Sequence, residues 1–311
     1  RKAAMVEEFA SYRRGQLRNG RFELIRALAK FRDPHTLELD NGQTITAGHF
    51  MISTGSLVAE LPQPSLADLG CMTSDDALRL ESLPKSIIVL GGGAVALEFA
   101  QFFARFDVEV TLLQRSPHIL KSFDNDVAGE VEAAFRDEGL TVHTGCSLTD
   151  ARQDGNEKVI VYERDGGQHE VRAEAVFHGL GRSPNTGSLA LENGVVETDN
   201  GRILCDAHMR TSAPHIFAGG DCTGPYEIVH LAIQQGEVAA HNILHPGRLH
   251  SMDYRMLISV VFTDPQAATV GHTEKTAKAR GIPYLTASYP FSDHGKSIIM
   301  EAMHGFVKLL C

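Results

Sequence analysis

Ser86–Leu113, SIIVLGGGAVALEFAQFFARFDVEVTLL, constrains this chain more than any other stretch. It reads as strand, glycine turn, helix and second strand without interruption, the pattern of a βαβ unit. Ser86–Leu90 is a short β-branched apolar run of the kind that a sheet buries on both faces. Gly91 permits the tight turn, Gly93 lets the backbone approach a pyrophosphate, and Ala96 is small enough for helix and strand to pack. The free N–H groups and positive dipole end of the following helix suit a phosphate. In this setting G-x-G-x-x-A predicts dinucleotide binding.

The second strand, Val108–Leu113, ends at Gln114-Arg115, where an acidic residue for the adenine ribose of NAD would stand. Gln114 cannot repel a 2′-phosphate, and Arg115 can pair with one. NADPH is favoured and NADH remains compatible; the alternative is a surface arginine after a strand.

Glu98 is singular because its helix is nearly apolar, with Ala94, Val95, Leu97, Phe99, Phe102 and Phe103 around it. An ionised carboxylate buried there without a partner would cost several kcal/mol. Either it has a partner, or it lies on the solvent edge of the helix. Thr211–Asp221, TSAPHIFAGGD, is a strand ending in a small-residue turn. Its terminal Asp221 suits a ribityl or ribose hydroxyl, or is an ordinary βα turn residue.

At 311 residues the chain has room for two or three domains. A formal net charge of −10 argues against a nucleic-acid partner, and no apolar run is long enough to span a bilayer. The five cysteines, Cys71, Cys146, Cys205, Cys222 and Cys311, lack disulfide-framework or metal-ligand spacing and read as free thiols of a reducing cytoplasm. The fifteen histidines form no zinc pattern, so no metal site is expected. Arg1 is not an initiator, and no signal peptide is present, so the chain reads as beginning inside a longer protein.

The remaining pattern predicts a helix then a strand over residues 1–30, with Ala27–Phe31 leading into Asp33-Pro34, and a hairpin about Asp40-Asn41-Gly42. Strands follow at 50–52, 140–143, 175–180, 215–218 and 257–262, with a hairpin about Asp165-Gly166-Gly167. Helices are expected at 124–138, 227–244 and 273–281, and further strands at Ser297–Met300 and Phe306–Leu310.

Thr54-Gly55-Ser56, the Gly91 turn, Gly181-Arg182-Ser183-Pro184-Asn185, HIFAGGD and VFTDPQAATVG (Val261–Gly271) occur in one order along the chain. Together they resemble the pyridine nucleotide–disulfide oxidoreductases, with wording most like the mercuric reductases and lipoamide dehydrogenases. The resemblance implies an α/β fold in which a Rossmann-like NAD(P)-binding domain is inserted in an FAD-binding domain, followed by part of an α+β dimerisation domain. The implied boundaries are 1–64 and 188–250 for FAD, 65–187 for NAD(P) and 251–311 for dimerisation. Thr54 and Gly55 would lie along FAD, Asp221 would hold its ribityl chain, and Ile228, Val229, His230 and Leu231 would run beside the flavin. Gly181 and Val260 would lie near the nicotinamide nucleotide, and Glu98 would pair with a lysine beside the flavin.

The resemblance further implies a homodimer in which NADPH passes hydride to FAD, then to a redox disulfide and a small-molecule, metal-ion or protein disulfide-type substrate. The family's own opening G-x-G-x-x-G, its C-x-x-x-x-C pair and its closing His–Glu pair do not occur in this chain. The chain therefore reads as truncated at both ends, and by itself it is expected not to reduce disulfides. His294 and His304 read as structural. Two alternatives stay open: an NAD(P)H–flavin oxidoreductase without redox cysteines, and a nucleotide-binding fragment without turnover.

Overall fold

The computed structural model describes residues 1–311 and divides into two units, Arg1–Gly55 with Pro184–Met252 and Ser56–Ser183 with Asp253–Cys311. Its first unit opens with α1 (Lys2–Leu17), which buries no residue. Strands β1 (Ala29–Asp33), β2 (Thr36–Leu39) and β3 (Thr44–Thr46) form an antiparallel meander. The β2–β3 turn closes because Gly42 takes φ +84° and the Asn41 side-chain oxygen accepts the Gln43 N–H at 3.0 Å. β4 (Phe50–Ile52) follows.

The second unit begins with β5 (Ser56–Val58) and the short helices α2 (Pro64–Asp68) and α3 (Ser74–Arg79), the latter closed by a Thr73–Asp76 capping box. Then come β6 (Ser86–Leu90), α4 (Ala94–Ala104), β7 (Glu109–Gln114), α5 (Asn125–Asp137) and β8 (Thr141–Thr144). An antiparallel sheet of β9 (Ser147–Asp154), β10 (Glu157–Arg164) and β11 (Gly167–Ala173) precedes β12 (Ala175–His178). β9 is too polar for its sequence to announce a strand; pairing with β10 makes it one.

Strands β12, β6, β7 and β8 lie in that order, all parallel. Alternation explains the apolar run in β6. Ile87 and Val89 join a core with Leu97, Phe103, Phe135 and Phe177, while Ile88 and Leu90 join another with Leu66, Leu69, Ile160 and Val176. Each such side chain contributes about 1.5–3 kcal/mol when fully buried. β13 (Arg182–Pro184) then pairs with β5.

Returning to the first unit, the chain forms β14 (Thr198–Asp199), β15 (Arg202–Ile203), β16 (Ile216–Ala218) and α6 (Val229–Leu244). β16 lies parallel to β4, with Ile216 opposite Phe50 and Ala218 opposite Ile52. Phe31, Phe50, Ile52, Ile203 and Ile216 form this unit's core.

The final passage, within the second unit, comprises β17 (Ile258–Val261), β18 (Ala267–Val270), α7 (Glu274–Ala279), β19 (Thr286–Pro290), α8 (Gly295–Ile299) and β20 (Phe306–Leu310). One expectation is corrected here. Ser297–Met300 is not a strand: the segment up to Ile299 is helical. β19 and β20, which flank it, pair with each other, so the segment satisfies its backbone locally. Ile298 N–H reaches His294 C=O at 3.0 Å, and the His294 ring meets the Ser297 hydroxyl at 3.0 Å. No helix of the chain is long and apolar enough to cross a membrane.

Candidate functional site

The sequence-nominated residues fall into two groups, one in each unit. Gly91, Gly93, Ala96, Glu98, Gln114, Arg115, Gly181 and Val260 lie in the second unit; Thr54, Gly55, Asp221 and Ile228–Leu231 lie in the first.

At the end of β6, Gly91 takes φ +116°, and a Cβ there would stand 2.6 Å from the Gly179 carbonyl oxygen. Gly179 was not nominated from sequence, yet it decides the packing. A Cβ at 179 would lie 2.9 Å from the Ala96 Cβ and 3.0 Å from the Ala96 N. Ala96 thus owes its smallness to the loop after β12. Gly93 caps α4 with extended backbone and no side-chain cap, and nothing lies within 4 Å of where its Cβ would be. The helix therefore offers free N–H groups to an open surface.

The end of β7 is wrapped around the same turn. Gln114 lies over Gly92, where a Cβ would come 2.9 Å from its Cδ. The Gln114 amide accepts the Arg115 N–H at 3.1 Å and donates to the His118 carbonyl at 3.4 Å. Leu120, at φ +46°, donates its N–H to the Gly92 carbonyl at 2.7 Å. Gln114 is thus spent on its own loop, while Arg115 is exposed.

Glu98 is neither buried without a partner nor fully solvated. It is half-buried, and its Oε1 accepts the Phe262 N–H at 2.9 Å. That bond brings the end of β17 to α4, with Val260 two residues before Phe262. Gly181, at φ +114°, accepts the Ala59 N–H at 3.1 Å and presents an open face.

In the first unit, the turn after β16 is held by a residue that sequence reasoning missed. Gln235, buried in α6, accepts the Gly220 N–H at 2.7 Å. Asp221 sits half-exposed in that turn, and its carbonyl accepts the Gly224 N–H at 3.2 Å. The adjoining Cys222 is buried: its thiol donates to the Gly219 carbonyl at 3.3 Å, and the N–H groups of Thr54 and Gly55 face its sulfur. The structure therefore brings Thr54-Gly55 to Cys222, the residue next to Asp221. Asn185 holds the former from the other side, its N–H to the Gly55 carbonyl at 3.0 Å. Ile228 caps α6 without a side-chain bond; Val229 and His230 are exposed, whereas Leu231 is buried in the chain.

Burial pushes up the thiols of Cys71, Cys146 and Cys222, and that of Cys205 to about 12. None of these four is a poised thiolate. His304 bonds Asp137 at 2.9 Å, so its role here is to tie the β20 approach to α5. A cavity of about 390 Å³ is lined by Thr186, Ser188, Leu191, Glu192 and Val196 and includes none of the nominated residues.

Residues 4–236 match the family model of pyridine nucleotide-disulphide oxidoreductases, and residues 257–311 match that family's dimerisation domain. The chain belongs to this family. It is 34% identical over 314 residues to a dihydrolipoyl dehydrogenase of Geobacillus stearothermophilus, covering 99% of this chain and 66% of the relative. A mercuric reductase of Staphylococcus aureus is 33% identical over 290 residues, covering 93% of this chain and 53% of the relative. The chain thus spans two thirds or less of these relatives' lengths. The Cu(II) complex of the HOCl-induced flavoprotein disulfide reductase RclA from Escherichia coli superposes with a TM-score of 0.88 at 25% identity, over 99% of this chain and 71% of that one. LpdA from Mycobacterium tuberculosis gives 0.85 at 25% identity, over 99% and 70%. The mixed α/β fold is that of the family, including a portion of its dimerisation domain.

Proposed function

We propose that this chain is the larger part of a homodimeric, cytoplasmic, FAD-dependent NADPH oxidoreductase of the disulfide-reductase type. The observation that carries the reading is the uncapped N-terminus of α4 beside an exposed Arg115. Gly91 and Gly93 admit a pyrophosphate, the α4 N–H groups bind it, and Arg115 pairs with a 2′-phosphate. Gln114 bonds to its own loop and carries no charge to oppose that phosphate. Thr54, Gly55 and Asp221 would hold FAD, with Ile228–Leu231 along the flavin; Gln235 fixes the turn that carries Asp221. Glu98 would face the nicotinamide end and pair with a lysine from outside this chain.

When bound, the two cofactors supply the hydride chemistry; the chain supplies orientation, charge and exclusion of water. The substrate would be a disulfide or a metal ion, the classes that the relatives' names describe. Anaerobic mixing of the flavin-loaded full-length protein with NADPH should bleach the flavin faster than mixing with NADH. Absence of bleaching with either nucleotide would sink the reading.

A further inference from the structure

Glu98 and Gln101 of α4 and Arg105, which caps its C-terminus, stand three and four residues apart, so they share one face. All three grip the segment that follows β17. Glu98 Oε1 accepts the Phe262 N–H at 2.9 Å. Gln101 takes both main-chain groups of one residue: Oε1 accepts the Asp264 N–H at 2.7 Å, and Nε2 donates to the Asp264 carbonyl at 2.7 Å. The same Nε2 donates to Glu138 Oε1 at 2.9 Å. Arg105 closes the outside, reaching Asp264 Oδ2 at 2.8 Å and the Glu138 carboxylate at 2.7 and 3.2 Å.

Among uncharged side chains of this length, only a primary amide accepts from an N–H and donates to a C=O of the same residue. Gln101 is only 4% exposed, and Thr263, between the two gripped residues, is 3% exposed. A buried amide satisfied at both ends leaves its partner segment one position. That position determines whether the Phe262 N–H meets Glu98, and so which way the carboxylate points.

We propose that Gln101 is a positioning residue for the nicotinamide end of the site. By locking Asp264 it keeps the Phe262 N–H on one oxygen of Glu98, which leaves the other for a partner outside this chain. Arg105 and Glu138 hold the lock from the solvent side. The proposal rests on the reading of Glu98 given above.

The test uses Gln101→Met, which keeps the volume and removes both polar ends. In the chain itself, amide exchange at Phe262 and Asp264 should rise about tenfold while β6 is unchanged. In the flavin-loaded full-length protein, flavin reduction by NADPH should slow about tenfold with the NADPH Kd within about twofold, and Gln101→Met should add nothing to Glu98→Gln. If Glu98→Gln leaves the rate unchanged, the reading of Glu98 fails. If Glu98→Gln slows reduction and Gln101→Met does not, or if their effects multiply, the positioning role alone fails. Should Gln101→Met not fold, Gln101→Asn keeps a buried amide but draws it one methylene back from Asp264, and a wild-type rate and exchange pattern there would overturn the proposal.

Discussion

Gly179 lies against Ala96 so closely that a Cβ at 179 would stand 2.9 Å from the alanine's own. The N-terminal turns of α4 can approach the sheet because both residues are small. The position of the helix N-terminus, where a phosphate would be bound, is set by this contact.

Gly179→Ala should therefore destabilise the chain by roughly 1–3 kcal/mol, the usual cost of overpacking. Ala96→Gly in the same chain should recover part of that loss, because it removes the opposing methyl. Urea unfolding of the single and double variants checks this; equal stability of Gly179→Ala and the parent would mean that the loop after β12 yields freely.

The proposed pairing of Arg115 with a 2′-phosphate predicts that the chain binds NADPH more tightly than NADH and that Arg115→Glu reverses the order, by roughly 1–3 kcal/mol, the scale of a charge-assisted contact. Calorimetric titration with both nucleotides is the measurement. Unchanged affinities would remove Arg115 from the site.

Lys308 on β20 is 9% exposed in its side chain and meets Asp124 at 2.9 Å, Asp126 at 2.7 Å and Glu274 at 3.0 Å. Burial pulls the ammonium down, but Asp126, Asp124 and Glu274 hold it above the usual lysine range. Burial likewise pushes the Asp124 carboxyl up, and the Lys275 N–H, the Lys308 ammonium and the Glu274 N–H outweigh it, leaving Asp124 below its ordinary value. Asp124 stabilisation is thus complete above the ordinary carboxylate range and lost as pH falls through the lowered value. Lys308→Met should cost about 2 kcal/mol near neutral pH, with a smaller deficit in acid, where the carboxylates are protonated. Thermal unfolding of parent and variant at pH 7 and in acid reads both outcomes.

His178, at the end of β12, is buried, and its Nδ1 has no hydrogen-bond partner. Burial holds it below its ordinary value of 6.5, with Asp76 pulling the other way. Because the unfolded state binds this proton more readily, the neutral form favours folding above the ordinary value, and the advantage is lost as pH falls through the lowered one. His178→Leu should raise stability by about 1 kcal/mol at neutral pH, since an unsatisfied polar atom disappears. It should also flatten the fall in stability between pH 7 and 5, which urea unfolding across that range would show.

The βαβ unit, the glycine turn and the order of motifs were legible from sequence. Strict apolar runs, glycines where φ is positive or the backbone is crowded, and a charge change at Gln114-Arg115 each act locally, so adjacent residues record them. Ser297–Met300 shows the limit: its β-branched wording suits a strand, but a strand needs an unoccupied neighbour, and β19 and β20 take each other. β9 is the converse, polar residues made into a strand by β10. The partners of Ala96, Glu98 and Asp221 were likewise invisible. Gly179, Phe262 and Gln235 lie 83, 164 and 14 residues away in sequence and meet them, or their turn, only when the chain has folded. Sequence carried the expectations about phosphate, ribose and flavin binding, because those rest on side chains and local turns. Tertiary structure alone decided which donors face them, because a hydrogen bond or a missing Cβ acts only across a few ångströms of space.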